Sequence, residues 1–109
     1  MTTLRRAQIG KSEGIDTTVK SAKGLWKAFA PSWAMVMGVK EGKISEMQYI
    51  EQYSVILGNV KAEVWDALAQ HEHVALLCYC RNGWFCHTHL IIEYAVKHWP
   101  ERFCDGRAG

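Results

Sequence analysis

The run Val74-Ala75-Leu76-Leu77-Cys78-Tyr79-Cys80 constrains this chain more than any other feature. It is uncharged and of strand length. Its apolar residues are continuous instead of alternating, the pattern of a central strand covered on both faces in a parallel sheet. Arg81-Asn82-Gly83-Trp84-Phe85 then reads as a loop. From Cys86 to about His98 the period is helical, with Leu90, Ile91, Tyr94 and Ala95 turned inward and Pro100 ending the helix. This unit of strand, short loop and helix predicts an α/β fold.

The rest of the chain supplies what packs on that strand. With 109 residues there is room for a single domain over 1–109, and 49% hydrophobic residues with five tryptophans can fill its core. Residues 4–9 and 14–19 read as short strands around the turn Gly10-Lys11-Ser12-Glu13-Gly14. Residues 1–14 are thus a strand-forming or loosely ordered lead-in, and 100–109 a tail. Ser32 predicts the cap of a helix over Trp33–Lys40, apolar on nearly every side, expected to be buried, and stopped by Glu41-Gly42. Ser45 with Gln48 three residues on predicts a capping box, followed by an inward stripe of Met47, Ile50, Tyr53 and Leu57 that ends at Gly58-Asn59. Val60, Val64, Ala67 and Leu68 mark a further short helix before the turn His71-Glu72-His73. Trp26, Trp33, Trp65 and Trp99 read as core or edge packing. The sum is a short, mostly parallel sheet packed with about four helices.

The formal net charge is +2, with Arg5, Arg6, Lys11, Lys20, Lys23 and Lys27 set against Glu13 and Asp16 in the first 30 residues. Scattered cations of this kind describe a solvated surface, and also one that can face a phosphate. No stretch approaches the ~20 apolar residues of a membrane span. Residues 1–11 lack the apolar run of a signal peptide. A cytoplasmic location and no membrane partner are therefore expected. In that setting Cys78, Cys80, Cys86 and Cys104 read as thiols or metal ligands, although Cys80 and Cys86 can pair on oxidation.

Strand alternation places Cys78 and Cys80 on one face. Cys80 stands at the carboxyl end of the strand, where open α/β sheets bind ligands. Cys86 and His87 fall in the first turn of the following helix, whose free amides and dipole favour an anion or a thiolate, and Arg81 adds a cation. Three readings stay open. In the first, Cys80 or Cys86 is a nucleophile, His87 or His89 carries the proton, and Arg81 with the loop amides holds an oxyanion. Trp84 then covers the ligand or stacks on a base. In the second, Cys78, Cys80, Cys86 and His87 or His89 hold zinc, although two cysteines within a strand are not the spacing of a zinc knuckle. In the third, the strand thiols are small core residues. His71 and His73 read as turn residues, His98 and Cys104 as parts of the helix end and tail.

Phe29-Ala30-Pro31-Ser32-Trp33, then Lys40-Glu41-Gly42-Lys43-Ile44, Tyr49 and Tyr53, and finally Leu76-Leu77-Cys78-Tyr79-Cys80 with Phe85-Cys86-His87, resemble the DUF488 family of small bacterial and phage proteins. The likeness runs from Ile15 to about Ala95. It implies a Rossmann-like α/β fold with the Cys-His turn beyond a central strand as the site, and no particular activity. Members of the family follow Cys-His with arginine, whereas Thr88 stands here. An anion site that depends on that cation is therefore expected to be weakened or shifted to Arg81. Asp16-Thr17-Thr18-Val19-Lys20-Ser21 matches the family's early polar segment, which makes Asp16, Thr18 and Lys20 further ligand-binding candidates.

The resulting expectation is a nucleotide-related or other phosphate-handling protein using Cys80, Cys86, His87 and Arg81 beneath Trp84, with His89 nearby. It has no obligatory cofactor, and zinc is the ion its cluster would take. The alternative from another class is a non-enzymatic, phage-type inhibitor that attaches to a host protein or nucleic acid through Trp84, Trp26 and the basic amino-terminal part.

Overall fold

In the computed structural model, which describes residues 1–80 and 85–107, the apolar run forms an interior strand, as its burial demands. The elements follow in the order β1 (Thr2–Gln8), β2 (Ile15–Asp16), a 3-10 helix (Gly24–Phe29), α1 (Trp33–Lys40), α2 (Glu46–Gly58), α3 (Ala62–Leu68), β3 (His73–Cys78), α4 (His87–His98) and β4 (Phe103–Asp105). The sheet order is β2-β3-β1-β4, and every pairing is parallel. Val74 to Cys78 are all buried. Side-chain alternation sends Val74 and Leu76 with Leu4 into the main core, against Phe29, Tyr53, Leu57, Trp65, Ile91 and Ile92. Ala75 and Leu77 pack with Ala7 in a smaller cluster. No helix among the described residues is long and apolar enough to cross a membrane.

Local chemistry explains most element boundaries. Ser32 accepts from the Met35 amide and caps α1. At its other end Lys43 N–H bonds Gly38 O and Gly42 N–H bonds Val39 O, the paired Schellman bonds, with Gly42 at φ 72° as the left-handed residue they need. Ser45 and Gln48 close the expected capping box on α2.

Several expectations are corrected. Helix α1 is not buried: only Met35 and Gly38 are, while Trp33 and Met37 are 54% and 41% exposed. Being apolar all round does not supply neighbours, and this eight-residue helix covers the core with one side. The inward stripe of α2 is Tyr49, Tyr53 and Leu57, spaced by four, and Met47 is 64% exposed. The strand expected over 14–19 shrinks to Ile15–Asp16, because the Asp16 carboxylate accepts from Thr18 N and Oγ1 and turns the chain. β3 ends at Cys78, short of Cys80. Its neighbour β1 stops at Gln8 before the turn at Gly10 (φ 90°), and the Cys80 carbonyl is taken instead by Arg6 Nη2 at 2.6 Å. Residues 100–109, expected as a tail, contain β4, which pairs with β1 because Phe103 is drawn into the core beside Trp65 and Trp99.

Candidate functional site

Three pieces of chain deliver sulfur to one place. Cys78 ends β3, Cys80 follows one bend later, and Cys86 is the residue that precedes α4. Their Sγ atoms all lie within 4.8 Å of one another. The Cys86 thiol points at Cys78 Sγ, 2.9 Å away, and Thr88 Oγ1 donates to Cys86 Sγ at 3.3 Å. From the neighbouring strand β1, Arg6 Nη2 reaches Cys78 Sγ at 3.0 Å. Leu4, Arg6 and Gln8 share one face of β1, so the face that begins in the core ends beside the sulfurs.

His87 opens α4 and is buried, its ring edge-on to Tyr53. Its Nε2 lies 2.8 Å from Thr17 Oγ1 and 3.0 Å from Thr17 O. A carbonyl only accepts, so Nε2 carries the proton. Thr17 Oγ1 passes its own hydrogen to Leu77 O at 3.1 Å. The lone pair on Nδ1 is left facing Cys86 Sγ at 3.7 Å. Burial, ahead of the neighbouring charges, pushes His87 down to about 4, so the ring is neutral at pH 7.

Hydrogen bonds from Cys80 and Cys86, with Arg6 beside it, hold Cys78 far below the ordinary thiol range despite burial. Cys80 and Cys86 are pushed up, chiefly by that same Cys78 sulfur. Burial and then the charge near Cys86 also push the Tyr49 phenol up.

A cavity of about 480 Å³ opens onto this cluster, lined by Val36, Val39 and Lys40 of α1, Glu46 and Tyr49 of α2, and Phe85, Cys80, Cys86 and His87. Phe85 meets Tyr49 edge to face at 5.1 Å. Cys78 stands behind this wall, 1% exposed. The sequence candidates Cys80, Cys86 and His87 are thus brought together. His89 is not with them: its Nδ1 accepts from Arg107 Nη1 at 3.0 Å on another side of α4, and burial followed by the Arg107 charge lowers its pKa. Asp16 and Thr18 bond to each other and to Ser21, and Lys20 lies over the Tyr79 ring. This turn reaches the site through Thr17, the residue between them. Arg81 and Trp84 lie outside the described residues.

Arg6, Thr17, Tyr49 and Thr88 are site residues that the sequence analysis does not assign. For Arg6 a signal existed: in a strand read over 4–9, alternation puts its charge on the same face as the core residue Leu4. Thr17 and Thr88 carry no such mark, since a small hydroxyl residue suits a turn or helix start with or without a histidine to hold.

No curated protein and no solved structure matches the chain. The family model DUF488-N3a, described as the active DUF488-N3 subclade, matches residues 4–98, a span that holds all three clustered cysteines, His87, Thr17 and Arg6, and the chain belongs to this family.

Proposed function

We propose that the protein is a small-molecule enzyme of the nucleotide- or phosphate-handling class, in which Cys80 and Cys86 are the reacting sulfurs and His87 carries the proton. The cavity carries this reading. Its volume of about 480 Å³ falls in the range of ligand pockets, about 300–1,000 Å³. The Tyr49 and Phe85 rings with Val36 and Val39 give the apolar walls that a flat base needs. The start of α4 and Lys40 supply positive charge for an anionic group, with the Glu46 carboxylate in the same lining. Cys86 Sγ stands 3.7 Å from the unprotonated Nδ1 of His87, which can take the Cys86 proton once that thiol turns away from Cys78. Thr17 and Arg6 are positioning residues: one holds the imidazole, the other anchors Cys78 and the Cys80 carbonyl.

The test is alkylation by iodoacetamide, read cysteine by cysteine by mass spectrometry, with and without nucleotides or inorganic phosphate. Cys80, the half-buried member of the cluster, is expected to react before Cys78 and Cys86, and nucleotides are expected to slow it more than phosphate does. If no phosphate-bearing compound protects Cys80, and all cysteines react alike, the reading is wrong.

A further inference from the structure

The sulfurs do more than line a cavity. Around a tetrahedral zinc with Zn–S near 2.3 Å, thiolates stand about 3.8 Å apart. The three Sγ atoms already lie within 4.8 Å of one another. Cys78 and Cys86, at 2.9 Å, would have to open by roughly 0.9 Å to match, a movement that small χ1 rotations allow.

Two further observations point to a cation. A metal-bound histidine almost always donates its other N–H to a carbonyl or carboxylate, which fixes the tautomer and aims the lone pair. His87 has that arrangement without any metal: Nε2–H is held by Thr17 and Nδ1 is left on the cluster side, 3.7 Å from Cys86 Sγ. Charge balance is the second. Three thiolates and one divalent cation leave one negative charge, which is costly in a buried site unless it is paired. The Arg6 guanidinium, 3.0 Å from Cys78 Sγ, pairs it and supplies the N–H···S bond of an outer shell.

We propose that Cys78, Cys80 and Cys86, with Nδ1 of His87 drawn in from beside Cys86 as the fourth ligand, form a tetrahedral site for one zinc-class cation, and that Cys80 is the least buried of the ligands that border the cavity. A thiol bound to such a cation is deprotonated outright. With the cation bound, Cys86 and Nδ1 of His87 are ligands and no longer move a proton; Cys80 alone meets whatever enters the cavity, as a thiolate, and in this last step alone the inference rests on the function proposed above.

The test uses the full chain, reduced, stripped with a chelator and titrated anaerobically with Co²⁺. Expected are one equivalent bound, the intense visible bands of tetrahedral cobalt, a thiolate-to-cobalt charge-transfer band, and displacement of both by Zn²⁺. Cys80→Ser alters a half-buried residue outside the strands and helices, so its fold is expected to survive. It should weaken cobalt binding at least tenfold and reduce the charge-transfer intensity. Arg6→Met should weaken binding roughly tenfold, at the low end of outer-shell effects, without changing the stoichiometry. A folded protein that gives no tetrahedral cobalt spectrum at one equivalent, or a Cys80→Ser protein with unchanged spectrum and affinity, would overturn the site. Cobalt binding without nucleotide protection of Cys80 sustains the metal site and removes the enzyme reading. Protection without cobalt binding does the reverse.

Discussion

Arg6 and Cys78 meet across the β1–β3 pair, guanidinium to sulfur at 3.0 Å, although the residue in direct register with Cys78 is Gln8. The arginine leans along the strand to reach both the sulfur and the Cys80 carbonyl, and so closes the point where β3 loses its partner. A hydrogen bond to a charged group contributes about 1.5–3 kcal/mol. Arg6→Met is therefore expected to lower stability by about that much, measured by urea unfolding. Arg5→Met is the control. Arg5 is exposed and bonds Ser12 Oγ, so a change within about 0.5 kcal/mol is expected there. Equal losses in the two variants would mean that the bonds to Cys78 and Cys80 contribute nothing.

Tyr53 ties α2 to the end of the 3-10 helix, its hydroxyl donating to Phe29 O at 2.5 Å with both groups buried. Tyr53→Phe keeps the ring that packs on His87 and removes only the donor. A buried carbonyl left without a partner costs about 1–3 kcal/mol, and a loss of that size is expected in thermal unfolding. A variant as stable as the parent would show that Phe29 O finds another donor.

Asp16 is expected to govern part of the acid sensitivity. Burial works against its charge, but hydrogen bonds from Ser21 and Thr18 outweigh that and hold its carboxyl below the ordinary carboxylate range. A folded-state pKa below the unfolded one favours the fold above about pH 4, the ordinary carboxylate value. That contribution fades as pH falls towards the folded-state value. Asp105, held low by Arg107, acts in the same direction. Asp16→Asn should therefore flatten the loss of urea resistance between pH 6 and pH 3. An unchanged slope would place the acid sensitivity elsewhere.

What the sequence made legible was local. The capping box at Ser45, the cap at Ser32 and the interior strand at Val74 each depend on a few adjacent residues, and each forms, the strand ending at Cys78 in place of Cys80. What it hid was non-local. β4 rests on Phe103, one large apolar residue in a polar segment, whose pairing partner in β1 is about a hundred positions away. The exposure of Trp33 and Met37 reflects which neighbours exist, which composition does not record. The same division runs through the site. Cys80, Cys86 and His87 flank one loop and are legible together, whereas Arg6 and Thr17 arrive from β1 and the β2 turn.

The β2 turn reaches the site through a tight fit at Gly14. A Cβ placed there would stand 2.2 Å from the Ala75 carbonyl oxygen. That neighbour is backbone of the central strand, so β2 has to move and not β3. Because β2 is only Ile15 and Asp16, its displacement carries Thr17 with it and slackens the hold on His87 Nε2. Gly14→Ala is therefore expected to cost about 1–3 kcal/mol, as overpacking does, and to change the imidazole as well. Nitrogen-15 NMR of the metal-free parent should show His87 protonated on Nε2. In Gly14→Ala that signal should broaden or shift towards the mixed-tautomer average of a free histidine. Thr17→Val keeps the Thr17 carbonyl as acceptor and should retain the Nε2–H form with a weaker bond. A Gly14→Ala protein that loses stability while its His87 tautomer stays fixed would separate the turn from the site.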